Sequence, residues 1–96
     1  MTFEELQDDI RSQIKTIPDS VDLIHAVTGL CEESGEVAGL LKRQSFKRLE
    51  IPRERWVDEL GDVLWYLTAT AIVLDISLDE VFDYNKRKLE DRYGPL

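Results

Sequence analysis

The sequence predicts an all-α protein, a bundle of four helices. Apolar residues recur at helical period along most of the chain. Capping signals open two of those stretches. No stretch has the strict alternation of a half-buried strand. At 96 residues, one domain spanning 1–96 is expected.

The first helix is predicted from about Phe3 to Lys15. Thr2 and Glu5 have capping-box spacing, and Phe3, Leu6, Ile10 and Ile14 fall on one face. Pro18 and Asp19 break it. The second is predicted from about Ser20 to Arg43, capped by Asp19 or Ser20. Its expected apolar stripe is Leu23, Ile24, Val27, Leu30, Cys31, Val37, Ala38 and Leu41. A polar, basic connector follows from Gln44 to Ile51. Pro52 then stands at an expected first helical position, opening a third helix from about Arg53 to Leu74. Ser77 and Glu80 have the spacing of another capping box, for a fourth helix ending near Arg92 before Gly94 and Pro95.

The third helix breaks the ordinary amphipathic pattern. Between Val63 and Leu74 only Thr68 and Thr70 are polar. A helix apolar all round must be covered all round, which a bundle this small cannot do alone. A second copy is therefore expected on the outer face, as a homodimer or a dimer of dimers.

Composition narrows the function. Apolar residues make up 43% and charged residues 33%, as in a folded soluble protein. The net charge of −8 argues against nucleic acid as partner. No apolar run is long enough for a bilayer, so no membrane partner is expected. Met1 is followed by Thr2, Phe3, Glu4 and Glu5, without the basic start of a signal peptide. The lone Cys31, with no thiol to pair with, fits a reducing, cytoplasmic setting. An anionic substrate would need cations to bridge the like charges.

Two acidic clusters suggest where those cations sit. They are Glu32-Glu33-Ser34-Gly35-Glu36 on the second helix and Asp58-Glu59-Leu60-Gly61-Asp62 on the third. Residues three or four apart share a helix face, so Glu33 pairs with Glu36, Glu32 with Glu36, and Glu59 with Asp62. Such pairs are commonly solvated faces. Here both clusters have apolar flanks and an internal glycine. Each glycine costs about 1 kcal/mol in a helix interior, which calls for a reason such as close helix approach. Crowded carboxylates away from water repel and pay desolvation. A hard divalent ion removes the conflict, and all-oxygen ligation suits Mg²⁺ or Mn²⁺ rather than zinc.

The order Glu32-Glu33-Ser34-Gly35-Glu36, then Glu59-Leu60-Gly61-Asp62, resembles the EExxE…ExxD signature of MazG-like nucleotide pyrophosphohydrolases, an all-α NTP pyrophosphohydrolase family. Val63-Leu64-Trp65-Tyr66-Leu67 and the tail from Asn85 to Tyr93 are similar to that family too. The resemblance covers most of the chain from His25 onward. It implies four core helices and Mg²⁺-dependent cleavage of nucleoside triphosphates to a monophosphate and pyrophosphate. Carried over by position, Glu33, Glu36, Glu59 and Asp62 are metal ligands. Glu32 matches an extra acidic position, a second-metal ligand or a base, and Glu32 and Glu36 are the candidates to orient the attacking water.

Asn85, Lys88 and Arg92 fall on one face of the fourth helix and make a candidate phosphate clamp, with Lys42 as a further cation. Lys47 is an ordinary exposed lysine in this reading. His25 projects toward the Glu32 and Glu36 side but is expected to be structural. Cys31 is expected in the core, and Trp65 and Tyr66 at core or interface before any base-stacking role. Two other functions fit parts of the pattern: a non-enzymatic acidic interaction module, and a metal-dependent hydrolase of another nucleotide phosphoanhydride.

Overall fold

The computed structural model describes residues 1–18 and 20–95. Four helices follow one another: α1 (Phe3–Ile14), α2 (Leu23–Phe46), α3 (Arg53–Val73) and α4 (Leu78–Tyr93). There is no strand among the described residues.

Local chemistry sets the helix starts. The Thr2 hydroxyl accepts the Glu5 N–H at 3.1 Å, and the Glu5 carboxylate accepts the Thr2 N–H at 3.2 Å, completing the expected box. Helix α2 starts later than expected. Its cap is Asp22, whose carboxylate accepts the His25 N–H at 2.9 Å, and Ser20 lies outside the helix. Asp19, the other expected cap, lies outside the described residues. Helix α2 also runs on to Phe46, which shortens the connector. Pro52 is the cap of α3 rather than its first residue. The Ser77 hydroxyl accepts the Glu80 N–H at 3.1 Å at the head of α4.

Helix α3 ends in a Schellman motif. Ile76 N–H reaches the Ala71 carbonyl at 2.9 Å and Asp75 N–H the Ile72 carbonyl at 3.0 Å, with Asp75 left-handed at φ 56°. The two threonines of the apolar run bond to their own helix. Thr68 donates to the Leu64 carbonyl at 2.8 Å and Thr70 to the Tyr66 carbonyl at 2.7 Å.

Helices α2 and α3 form an extensively packed hairpin, and α1 packs on α3 and α4. The core centres on Ile10, Ala26 and Ala69, with Leu6, Ile14, Val21, Trp65 and Ile72 against it. Two long-range bonds fasten α1. Trp65 Nε1 donates to Gln13 Oε1 at 2.7 Å, and the buried Gln7 carbonyl oxygen accepts the Leu78 N–H at 3.1 Å.

The inward face of α2 differs from the expected stripe. It carries Ala26, Gly29, Glu33, Val37 and Leu40, whereas Ile24, Val27, Cys31, Ala38 and Leu41 are exposed. Two of these, Ala26 and Gly29, are small enough for close helix approach, while Leu40 fills the other end of the face. Cys31 is therefore at the surface rather than in the core. The outer face of α3 is also uncovered, with Val57, Leu60, Leu64 and Leu67 exposed at three- and four-residue spacing. The radius of gyration is 15.9 Å, against about 13 Å for a compact domain of about 100 residues. No single helix among the described residues is long and apolar enough to cross a membrane.

Candidate metal centre

The hairpin brings three of the predicted carboxylates together. Oxygen atoms of Glu33, Glu59 and Asp62 lie within 4.8 Å of one another. Glu33 reaches across from α2, while Glu59 and Asp62 are one turn apart on α3. Glu59 is buried and the other two are half-buried. Removal from water, and then the charges of Asp62, Glu59, Glu32 and Glu36, push the Glu33 carboxyl above its ordinary range.

Glu32 and Glu36 stand beside the triad as exposed side chains, near enough for their charges to act on Glu33. The close group of three does not include Glu36. Arg55 is the neighbour the sequence reading overlooked. Its Nη2 donates to Glu59 Oε1 at 3.4 Å. The four-residue interval between Arg55 and Glu59 was the available signal. Among the described residues, Arg55 is the cation that forms an ion pair with the triad; Arg11 and Asp8 pair elsewhere.

The two glycines inside the acidic clusters do not serve close packing. Gly35 and Gly61 face open space, with nothing within 4 Å of an added Cβ. Each sits two residues from an inward carboxylate, which turns it about 200° away. The close approach occurs at Gly29, where a Cβ would overlap the Tyr66 ring. Tyr66 is one turn beyond Asp62 and also meets the His25 ring, with centroids 6.1 Å apart. An aromatic floor thus adjoins the triad. Trp65 packs edge-on to Tyr66 with its indole N–H held by Gln13.

The predicted phosphate cations lie elsewhere. Asn85 and Lys88 line a groove of about 560 Å³ with Phe3, Leu64, Leu67 and Phe82. Leu64 is about 200° round α3 from Asp62, so this groove opens behind the triad of its own chain. Arg92 is exposed on the last turn of α4, with its guanidinium 5.9 Å from the centre of the Tyr93 ring. Lys42 is exposed four residues before the end of α2.

Comparisons with known proteins agree with this arrangement. A family model described as the MazG nucleotide pyrophosphohydrolase domain matches residues 23–94. Gene 37 protein of Mycobacterium phage L5 is 39% identical over 79 residues, covering 77% of this chain and 69% of that protein. The fold is similar to the crystal structure of the Bacillus-conserved MazG protein, a nucleotide pyrophosphohydrolase. There the TM-score is 0.77 at 22% identity, over 93% of this chain and 89% of that one. It is also similar to iMazG from Vibrio DAT 722, with a TM-score of 0.68 at 22% identity over 98% and 99% of the two chains. A four-helix fold, an acidic triad shared by two helices and a match over most of the length converge: this chain belongs to the MazG nucleotide pyrophosphohydrolase family.

Proposed function

We propose that residues 1–96 form one catalytic domain that hydrolyses nucleoside or deoxynucleoside triphosphates with Mg²⁺, releasing a monophosphate and pyrophosphate. The observation that carries this is the Glu33, Glu59 and Asp62 triad, with oxygens within 4.8 Å of one another. Its donor set is all carboxylate, and removal from water, then like charges, push Glu33 up. That is the chemistry of a hard divalent site, Mg²⁺ or Mn²⁺. When bound, such an ion neutralises phosphate charge and acidifies water.

The chain's residues supply the rest. Glu33, Glu59 and Asp62, with Glu36 at the margin, hold the cation. Glu36 or Glu32, exposed beside the triad, orients the attacking water and takes its proton. A bond forms from water oxygen to the α-phosphorus. The bond to the α–β bridging oxygen breaks, and pyrophosphate leaves. Asn85 and Lys88 open on the far side of α3, so a phosphate role for them is exerted in the site of a second copy. The exposed outer faces of α2 and α3 support that homodimer, or a dimer of dimers. The role is nucleotide-pool house-cleaning in the cytoplasm.

A panel of triphosphates with Mg²⁺, followed by phosphorus NMR in ¹⁸O-water, tests the reading. Pyrophosphate together with label in the monophosphate is expected. Orthophosphate as first product, with a diphosphate left behind, would refute it.

A further inference from the structure

Charge along the hairpin is strongly segregated. Six of the chain's twelve Lys and Arg residues fall between Lys42 and Arg55, although the whole chain carries −8. These residues form the end of α2, the connector and the start of α3. The aromatic floor of Tyr66 and His25 lies on the other side of the triad. Along α3, Arg55, Glu59, Asp62 and Tyr66 follow at intervals of four, three and four, so they share one face.

Arg55 stands where these zones meet. Its guanidinium is half-exposed, while the Glu59 carboxylate it touches is nearly buried, at 51% and 11% side-chain exposure. We propose that Arg55 is a built-in counter-cation that a divalent ion displaces from Glu59, and that its freed guanidinium then holds the phosphate chain of the nucleotide. This rests on the metal-dependent reading of the triad. Three carboxylates close together need positive charge, and without metal Arg55 is the cation paired with them. An incoming divalent ion takes over that charge and repels the guanidinium. The freed guanidinium's five N–H donors match phosphate oxygens as a two-pronged fork. Its placement also gives the substrate a direction. The phosphate tail runs from the triad toward the basic hairpin tip, and the nucleoside lies toward Tyr66 and His25.

The test uses the full chain with Arg55→Gln and Arg55→Lys, whose fold is checked by circular dichroism. The first readout needs no turnover: Mn²⁺ binding by calorimetry without nucleotide. Arg55→Gln should bind Mn²⁺ about threefold more tightly, because a competing, part-buried ion pair is gone. Arg55→Lys should stay near wild type. The second readout is binding of a non-hydrolysable α,β-imido triphosphate at saturating Mn²⁺. Arg55→Gln should weaken it about tenfold, with partial recovery in Arg55→Lys. Unchanged Mn²⁺ affinity in Arg55→Gln overturns the counter-cation role, and unchanged analogue affinity overturns the phosphate role. A wild type that binds no Mn²⁺ overturns the metal reading beneath both. Tighter Mn²⁺ and weaker analogue binding, with no pyrophosphate from any triphosphate, supports Arg55 and overturns the proposed reaction.

Discussion

Gly29→Ala should destabilise the protein, although alanine is the better helix former. Gly29 lies inside α2, where alanine normally contributes about 1 kcal/mol. The added methyl, however, would overlap the Tyr66 ring, whose Cζ lies only 2.7 Å from the Cβ position. Such overpacking costs about 1–3 kcal/mol, because the ring must leave its seat. The net loss is then about 1 kcal/mol, or roughly 4–8 °C in midpoint for a domain of this size. The sign should reverse once the ring is gone. In a Tyr66→Ala background, Gly29→Ala should stabilise by about 1 kcal/mol. Urea melts followed at 222 nm, at one fixed protein concentration, measure all four corners of the cycle. A Gly29→Ala protein as stable as wild type, with Tyr66 in place, would refute the close approach.

Three further outcomes can be checked. Mg²⁺ at a hundredfold excess over its dissociation constant should stabilise wild type by about 2.7 kcal/mol; Asp62→Asn should lose most of that thermal shift together with activity, and an undiminished shift would remove Asp62 from the site. Glu33 has a raised folded-state pKa, so its contribution to stability is complete below about pH 4.5 and is lost as pH rises through the raised value. Glu33→Gln should therefore stabilise the metal-free protein more at pH 7 than at pH 4 in parallel melts, and an equal effect at both would contradict the desolvation and like-charge crowding of that carboxyl. Leu60→Glu adds charge to an exposed face of α3 that the proposed homo-oligomer would cover, so light scattering should find a smaller particle that keeps its helix content; an unchanged mass would refute an interface on that face.

The sequence made the four helices legible from their periodicity, and the starts of α1 and α4 because these are written in short-range chemistry. Thr2 and Glu5 bond as their spacing requires, and Ser77 caps Glu80. Helix α2, by contrast, is capped later, at Asp22, and Pro52 caps α3 rather than opening it. Helix period alone also joined Glu59 to Asp62, and the short connector put Glu33 across from them. The phase of α2 was not legible. That helix has two apolar faces, and periodicity cannot say which one meets its own chain. Large residues such as Ile24, Val27 and Leu41 drew the eye, yet Ala26 and Gly29 are inside because a close hairpin needs small side chains. The same ambiguity misassigned Cys31 and Gly35. Arg55 was overlooked because its partner relation spans two roles, a salt bridge and a site, that sequence spacing does not separate.

The family match begins at Leu23 and so leaves α1 outside it. Yet α1 holds the helices that the match does cover: Gln13 ties down Trp65 beside the aromatic floor, and Gln7 holds the first turn of α4. The angle of α4, and with it the position of Asn85 and Lys88, is thus set by α1. Evolution can retune such an enzyme without touching its signature. Changes at Gln7 would swing α4 like a rudder, and relatives with identical carboxylates would then diverge through their first helix alone.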